Sequence, residues 1–277
     1  MRKAIDFMKT HPFFTGFFGV SLCVAAIKLF NPDGRLFAMA LFRVVLTFAM
    51  SMFVYLISGA KSFEKCHTTT GYILKWGLLM IITSAAFDLL MLVGILTGAT
   101  PTVSDWPVRL AGAACLFFVV GFVEEITFRV LINDSLLYAF RNSKHVFVWI
   151  AIIGSLVFGG VHVIGADVFS SPLTMATAAL KTVSTAIFGF SLLVLYWKTR
   201  NIFGIALVHA IYDFLSGGIG LLTSETTKVG GASSYVDVGA IGSILYAVMI
   251  IVDSIVATVI WKKVGKTIDF EEIRRTW

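Results

Sequence analysis

The stretch LAGAACLFFVVGFVEEITFRVLI, residues 110–132, is apolar except for Glu124, Glu125 and Arg129. It is long enough to cross a bilayer, which takes about 20 predominantly apolar residues. A single charge near the middle of the membrane costs about 2.5–3.5 kcal/mol on insertion scales. Three charges therefore make insertion energetically costly for a segment whose only role is to span the membrane. The stretch indicates a membrane helix with a functional site built into it.

The rest of the chain has the composition of a polytopic membrane protein. Of its 277 residues, 58% are hydrophobic and 14% are charged, whereas a soluble domain carries about 25% charged residues. The net charge of +6 is not a nucleic-acid signal, because the basic residues form short clusters between apolar runs. The three cysteines show no CxxC spacing, so neither a disulfide framework nor a zinc knuckle is indicated. We expect one membrane-embedded domain over residues 1–277.

Long apolar segments follow one another along the whole chain. They are longer than strands and lack strict alternation, so they predict helices rather than barrel strands. The predicted fold is an all-α polytopic membrane helix bundle of about eight transmembrane helices. Their approximate bounds are 13–30, 36–58, 72–97, 108–138, 146–165, 173–197, 201–222 and 239–261.

The distribution of basic residues predicts the orientation of this bundle. Lysine and arginine concentrate in alternate connections, such as 141–144 and 198–200, and at both ends of the chain, whereas the intervening loops hold few. Cytoplasmic loops of membrane proteins carry the excess of such residues. Both termini are therefore predicted to be cytoplasmic.

Glu124 and Glu125 point in different directions if residues 110–132 are helical. Adjacent helical residues are rotated by about 100°, and Arg129 lies four positions after Glu125, which allows an internal ion pair. Glu124 has no such neighbour and would face a cavity. Burial without a cation partner raises the pKa of a carboxyl group, which suits a general base near neutral pH.

Other segments contribute ionisable groups within apolar surroundings. His162 ends the sequence FGGVH, and His209 and Asp213 are four residues apart, so they share one helix face. Two carboxylates, two histidines and an aspartate from three helices could activate a water and hold an oxyanion, or bind a metal. Arg43 and Asp88 lie in the second and third segments, and we expect them to pair between helices, with snorkelling to a helix end as the alternative.

The motifs EExxxR (124–129), FxxxH (158–162) and HxxxD (209–213), in this order on successive membrane helices, resemble the CPBP family. That family includes type II CAAX prenyl endopeptidases and bacterial Abi proteins, and the likeness covers about residues 108–222. It implies an intramembrane endopeptidase that hydrolyses a peptide bond of a membrane-associated or lipidated peptide or protein with a glutamate-activated water.

The resemblance also implies roles for individual residues. Glu124 would be the base, with His162 beside it, while His209 and the residue four positions on would stabilise the oxyanion or complete a metal site. Many members carry asparagine at that last position, and this chain has Asp213, which fits better as a metal ligand or as the orienter of His209.

Two further expectations concern structural support and a cofactor, and they follow from residue spacing and ligand type. Glu125 and Arg129 are expected to give structural support. The expected cofactor is none, or a divalent metal such as zinc, and the ligand types suit zinc. Its candidate ligands are Glu124, His162, His209 and Asp213.

Two other functions stay open at this point. The chain could be a catalytically idle bacteriocin-immunity or scaffold protein of the membrane. An ion-coupled transporter is less favoured, because we find no inverted repeat. The expected partners are the lipid bilayer and a membrane-anchored peptide or protein, without nucleic acid. The short loops suit a multi-pass protein of a bacterial or archaeal cell membrane.

Overall fold

The protein is helical throughout the part of the chain that the computed structural model describes, residues 2–32, 35–64, 69–223 and 239–276. No strand occurs in these residues, and the predicted all-α class is confirmed. The helices are α1 (Arg2–Thr10), α2 (Pro12–Phe30), α3 (Leu36–Ser58), α4 (Thr70–Leu96), α5 (Trp106–Glu125), α6 (Asn133–Ala139), α7 (Val146–Val161), α8 (Pro172–Thr199), α9 (Ile202–Asp213), α10 (Gly239–Lys263) and α11 (Phe270–Thr276).

Within these described ranges, five helical stretches are long and apolar enough to cross a membrane, judged by length and composition. They are Pro12–Phe30, Leu36–Ser58, Pro172–Thr199, Ile202–Leu222 and Ala240–Thr267. Shorter apolar stretches occur at two further predicted spans, Thr70–Ala86 within α4 and Val146–Val161, which is α7. The count of eight spans and the cytoplasmic placement of both termini stay predictions. Residues 224–238, in the predicted connection between the last two spans, lie outside the described residues.

The two helices that carry the paired acids and the HxxxD motif both end in a π-helical turn. After Glu125, α5 continues as the π turn Ile126–Ile132, which is entirely buried, and then as the short helix α6. After Asp213, α9 continues as the π turn Phe214–Gly218 and the 3₁₀ turn Ile219–Leu222. The single predicted segment 108–138 is therefore three helical pieces. π turns inside helices are rare and occur frequently at functional sites.

Close packing at two glycines brings the helices of the site together. A Cβ at Gly121 would lie 2.5 Å from the Ala206 carbonyl oxygen, so α5 and α9 touch through their backbones there. A Cβ at Gly159 would lie 3.1 Å from Ala186 and would overlap the carbonyl oxygen of Thr182, so α7 rests on α8. Small residues permit such approaches between membrane helices. Each glycine lies one turn before a predicted site residue, Glu124 or His162.

Candidate active site

One carboxylate oxygen of Glu124 is the meeting point of two histidines from different helices. Its Oε2 lies 3.6 Å from His162 Nε2, which follows α7, and 3.7 Å from His209 Nε2 on α9. That oxygen is buried and has no hydrogen-bond partner among the described residues. Both separations exceed a normal direct hydrogen bond. They leave Glu124 Oε2 within reach of either ring through one water molecule.

The His162 ring is held by its own helix. Its Nδ1 lies 2.6 Å from the Phe158 carbonyl oxygen, one turn earlier. Because a carbonyl only accepts, Nδ1 carries the proton, and Nε2 of the neutral ring is an acceptor. Nε2 therefore faces Glu124 as acceptor to acceptor. A water that donates one hydrogen bond to each of them satisfies both groups.

His209 is almost completely enclosed, with a side chain that is 1% exposed. Its Nδ1 donates to Glu125 Oε1 over 2.7 Å. Its Nε2 lies 3.4 Å from Asp213 Oδ2 and faces Glu124 as well. The rings of Phe158 and Phe188 lie 5.8 and 5.3 Å from the imidazole, centre to centre. Two carboxylates and two aromatic rings thus hold the imidazole in one orientation.

Glu125 uses its second oxygen to hold Arg129. Glu125 Oε2 and Arg129 Nε are 3.2 Å apart, and the two side chains are 0% and 3% exposed. The guanidinium carbon of Arg129 also lies 4.4 Å from the centre of the Phe158 ring, in a cation–π contact. The ion pair expected from the i, i+4 spacing is present. Glu125 therefore connects Arg129 to His209 across two helices.

The contact between Glu125 and His209 is a feature that sequence reasoning missed. The sequence analysis offered Asp213 as the orienter of His209, but Asp213 approaches Nε2, and the Nδ1 hydrogen bond belongs to Glu125. Nothing in the sequence indicates this contact, because the two residues lie on different helices, 84 positions apart. The site thus brings together Glu124, Glu125, Arg129, His162, His209 and Asp213.

The expected pairing of Arg43 with Asp88 is wrong. Arg43 Nη1 and Asp88 Oδ2 are both buried without a hydrogen-bond partner in the described part of the chain. The groups that act electrostatically on Arg43 are Glu124 and Cys23 instead. Arg43 on α3 therefore belongs to the surroundings of the candidate site.

The side chains of the site are of the types that bind zinc, but the described ranges offer no metal centre. No group of three or more histidine, cysteine, aspartate or glutamate side chains in them is arranged to hold a metal ion.

Comparison with known proteins identifies the central part of the chain. Residues 105–215 match the family model described as type II CAAX prenyl endopeptidase Rce1-like. The matched range contains Glu124, His162, His209 and Asp213. No curated protein and no solved structure matches the chain.

Proposed function

We propose that this chain, which belongs through residues 105–215 to the Rce1-like type II CAAX prenyl endopeptidase family, is an intramembrane endopeptidase using a glutamate-activated water. The family is one of proteases, and the apolar helices suit an integral membrane protein. The observation that carries the catalytic proposal is the convergence of His162 and His209 on Glu124 Oε2, at 3.6 and 3.7 Å.

Water activation is the task of Glu124 and His162. A water held beside Glu124 Oε2 and His162 Nε2 donates a hydrogen bond to each, so its lone pair is directed outward to a substrate carbonyl carbon. As the new carbon–oxygen bond forms, the proton passes to Glu124. General-base assistance of this kind is worth about 10²–10⁴ in rate.

The oxyanion that develops on the carbonyl oxygen needs a hydrogen-bond donor. We assign His209 to this role, because its Nδ1 is held by Glu125 and its Nε2 faces the space beside Glu124 and Asp213. When Nε2 carries a proton, it donates to the oxyanion, and Asp213 positions that ring edge. Donors held in place before reaction stabilise the charge without reorganising.

Collapse of the tetrahedral intermediate completes the cycle. The carbon–nitrogen bond breaks, and Glu124 returns its proton to the leaving nitrogen. The products are a new carboxyl terminus and a free amine. Glu125 and Arg129 take no part in the proton transfers in this scheme; they hold His209 and the end of α5.

The family description suggests the substrate class. The name of the matching family refers to a CAAX prenyl substrate, which carries a prenylated cysteine near its C-terminus. We propose a lipidated or otherwise membrane-anchored peptide as the substrate of this chain as well. The intact set of site residues makes a catalytically idle immunity or scaffold role less attractive, and immunity remains compatible with proteolysis.

The substitution Glu124→Gln tests the proposal. It preserves the shape of the side chain and removes the base, so kcat should fall by about 10²–10⁴ while the protein stays folded in detergent. The measurement is cleavage of a quenched fluorescent peptide with a prenylated cysteine near its C-terminus. Glu271→Gln, the same change at an exposed position of α11, is the matched control and should keep full activity.

Two results would count against this mechanism. Turnover of Glu124→Gln equal to that of the unmodified protein would remove Glu124 from the chemistry. Loss of activity in a chelator, with recovery on added zinc, would replace the glutamate mechanism by a metal one, with ligands from His162, His209 and the acids.

A further inference from the structure

Arg43 is a buried cation that the mechanism above does not use. It lies in α3, its side chain is enclosed by the bundle with the residue only 6% exposed, and its Nη1 has no hydrogen-bond partner within the described ranges. A guanidinium carries five donors in a fixed fork. Leaving a buried charged donor unsatisfied costs free energy in the folded protein. A ligand from outside the chain that accepts a hydrogen bond from this guanidinium would remove that cost.

The position of Arg43 is adjacent to the catalytic carboxylate. Glu124 and Cys23 are the titratable groups that act on Arg43, and Arg43 in turn acts on Glu124 together with both histidines. Cys23 on α2 lies against Thr127, with 3.8 Å between Sγ and Oγ1, and Thr127 follows Glu124 by one turn. Arg43 therefore approaches Glu124 from α2 and α3, whereas the histidines approach from α7 and α9.

The other cations near the site already have partners. Arg129 is held by Glu125 and by the Phe158 ring. Lys181 on α8 lies 5.5 Å from the centre of the Tyr246 ring and within the electrostatic influence of Asp213, Asp253 and Glu124. Arg129 also has donors without a hydrogen-bond partner, at Nε and Nη2, but its charge is paired with Glu125. Arg43 contacts the Phe42 ring, 5.4 Å from its centre, and forms no ion pair within the described ranges.

We infer that Arg43 binds the free C-terminal carboxylate of the peptide substrate. This inference rests on the proposed function. The guanidinium fork matches a carboxylate with two parallel hydrogen bonds, which gives orientation as well as affinity. A site whose polar group is built for one substrate group discriminates strongly against an analogue that lacks it.

Anchoring at Arg43 also determines where the chain is cut. An extended peptide advances about 3.3–3.6 Å per residue, and Arg43 lies within the electrostatic influence of Glu124. A carboxylate held by Arg43 therefore places a peptide bond only a few residues from the C-terminus at the activated water. Peptides that continue past this point would leave Arg43 buried and unpaired.

The experiment compares two peptides that differ only at the C-terminus, one with a free carboxylate and one with a carboxamide. Both contain the prenylated cysteine and the fluorescent pair used above. The measured quantity is the ratio of kcat/KM for the acid to kcat/KM for the amide. We expect a ratio of about 10–100 for the unmodified protein, typical of a lost charge-assisted pair, and a ratio near one for Arg43→Gln.

Two variants accompany Arg43→Gln. Arg43→Lys keeps the charge and loses the fork, so its ratio should lie between those of the unmodified protein and Arg43→Gln. Lys75→Gln removes a cation from the exposed side of α4 and should keep the unmodified ratio. A ratio near one for the unmodified protein, or an unchanged ratio in Arg43→Gln, would overturn the inference.

A binding measurement separates this inference from the proposed function. The Glu124→Gln protein should bind the acid peptide at least about tenfold more tightly than the amide, whether or not the unmodified protein cleaves either one. Equal binding of the two peptides would overturn the anchor even if cleavage is observed. Cleavage by neither protein, with preferential binding of the acid, would reject the endopeptidase and leave the anchor standing. This binding comparison also tests the inference if Arg43→Gln does not fold, because it does not use that variant.

Discussion

At the scale of the residue, two adjacent glutamates have different environments because of the rotation between them. Glu124 presents one unpartnered oxygen to His162 and His209, whereas both oxygens of Glu125 are engaged, by His209 and by Arg129. Glu124 is left available for a water. Glu125 is buried and its charge is paired with that of Arg129, so loss of Arg129 leaves a charge stranded inside the bundle.

Arg129→Ala should therefore destabilise the protein strongly. Removing one partner of a buried ion pair typically costs about 3–5 kcal/mol, and the cation–π contact with Phe158 is lost too. Thermal unfolding in detergent should show a larger loss of stability than Glu124→Gln produces. Activity should also fall, because Glu125 no longer holds His209 in place.

A control for this prediction exists on α5, the helix before the π turn of Arg129. Arg109 pairs with Asp105 at the same i, i+4 spacing over 2.9 Å, and their side chains are 13% and 54% exposed. Ion pairs with an exposed partner contribute about 0–1 kcal/mol, so Arg109→Ala should destabilise the protein much less than Arg129→Ala. Equal destabilisation by the two substitutions would show that Arg129 is not a structural support. Equal stability of Arg129→Ala and Glu124→Gln, with equal loss of activity, would favour a direct catalytic role for Arg129.

At the scale of the element, glycines set the distances between the helices that carry the site. Gly159 lets α7 meet the backbone of α8, and Gly121 lets α5 meet the backbone of α9. Each contact lies one turn from a proposed catalytic side chain, and Glu124 lies within 4 Å of both histidines. An increase in helix spacing would lengthen both separations and change the angle at which one shared water meets Glu124 and an imidazole.

Gly159→Ala tests this dependence. The added methyl group would overlap the carbonyl oxygen of Thr182 on α8, and overpacking of this kind typically costs about 1–3 kcal/mol. We expect a lower unfolding temperature and a lower kcat/KM. Gly160→Ala is the control on the neighbouring residue, because a Cβ there meets nothing within 4 Å, and alanine favours a helix by about 1 kcal/mol over glycine. Identical behaviour of the two variants would mean that the α7–α8 contact does not position the site.

At the scale of the whole molecule, the number of spans decides which sides of the membrane the two termini occupy. An even number of crossings, as in the predicted eight, places both termini on one side, and an odd number places them on opposite sides. Within the described residues, five stretches qualify as spans by length and composition, while part of α4 and the whole of α7 form shorter apolar stretches. A measurement on the protein in a bilayer therefore tests the number of spans.

Labelling of single cysteines provides that measurement. In a background without the natural cysteines, Lys3→Cys in α1 and Glu271→Cys in α11 lie near the two ends of the chain. Eight spans with cytoplasmic termini predict that an impermeant thiol reagent modifies both sites only when it reaches the cytoplasmic face. Modification of one site from outside and of the other from inside would show an odd number of spans and reject the predicted orientation.

The sequence by itself determined the helical class, the membrane character and most helix bounds. The segment predicted as 36–58 is α3 with the same limits, because hydrophobic run length and the turn residues that end a run are local properties. The charges inside the 110–132 segment and the three ordered motifs pointed to the residues that the structure brings together. The sequence did not reveal that this segment divides into α5, a π turn and α6, because a change from α-helical to π-helical hydrogen bonding requires no particular residue type.

Only the tertiary structure decided which polar groups meet. The Glu125–His209 hydrogen bond and the placement of Arg43 beside Glu124 rather than Asp88 depend on how the helices rotate and pack. In a soluble helix, a polar face marks the side turned to water. In a membrane helix, the faces turned to lipid and to neighbouring helices are both apolar, so the pattern does not reveal which helix each face contacts. Close contacts at glycines such as Gly121 and Gly159 set those faces, and through them the geometry of the site.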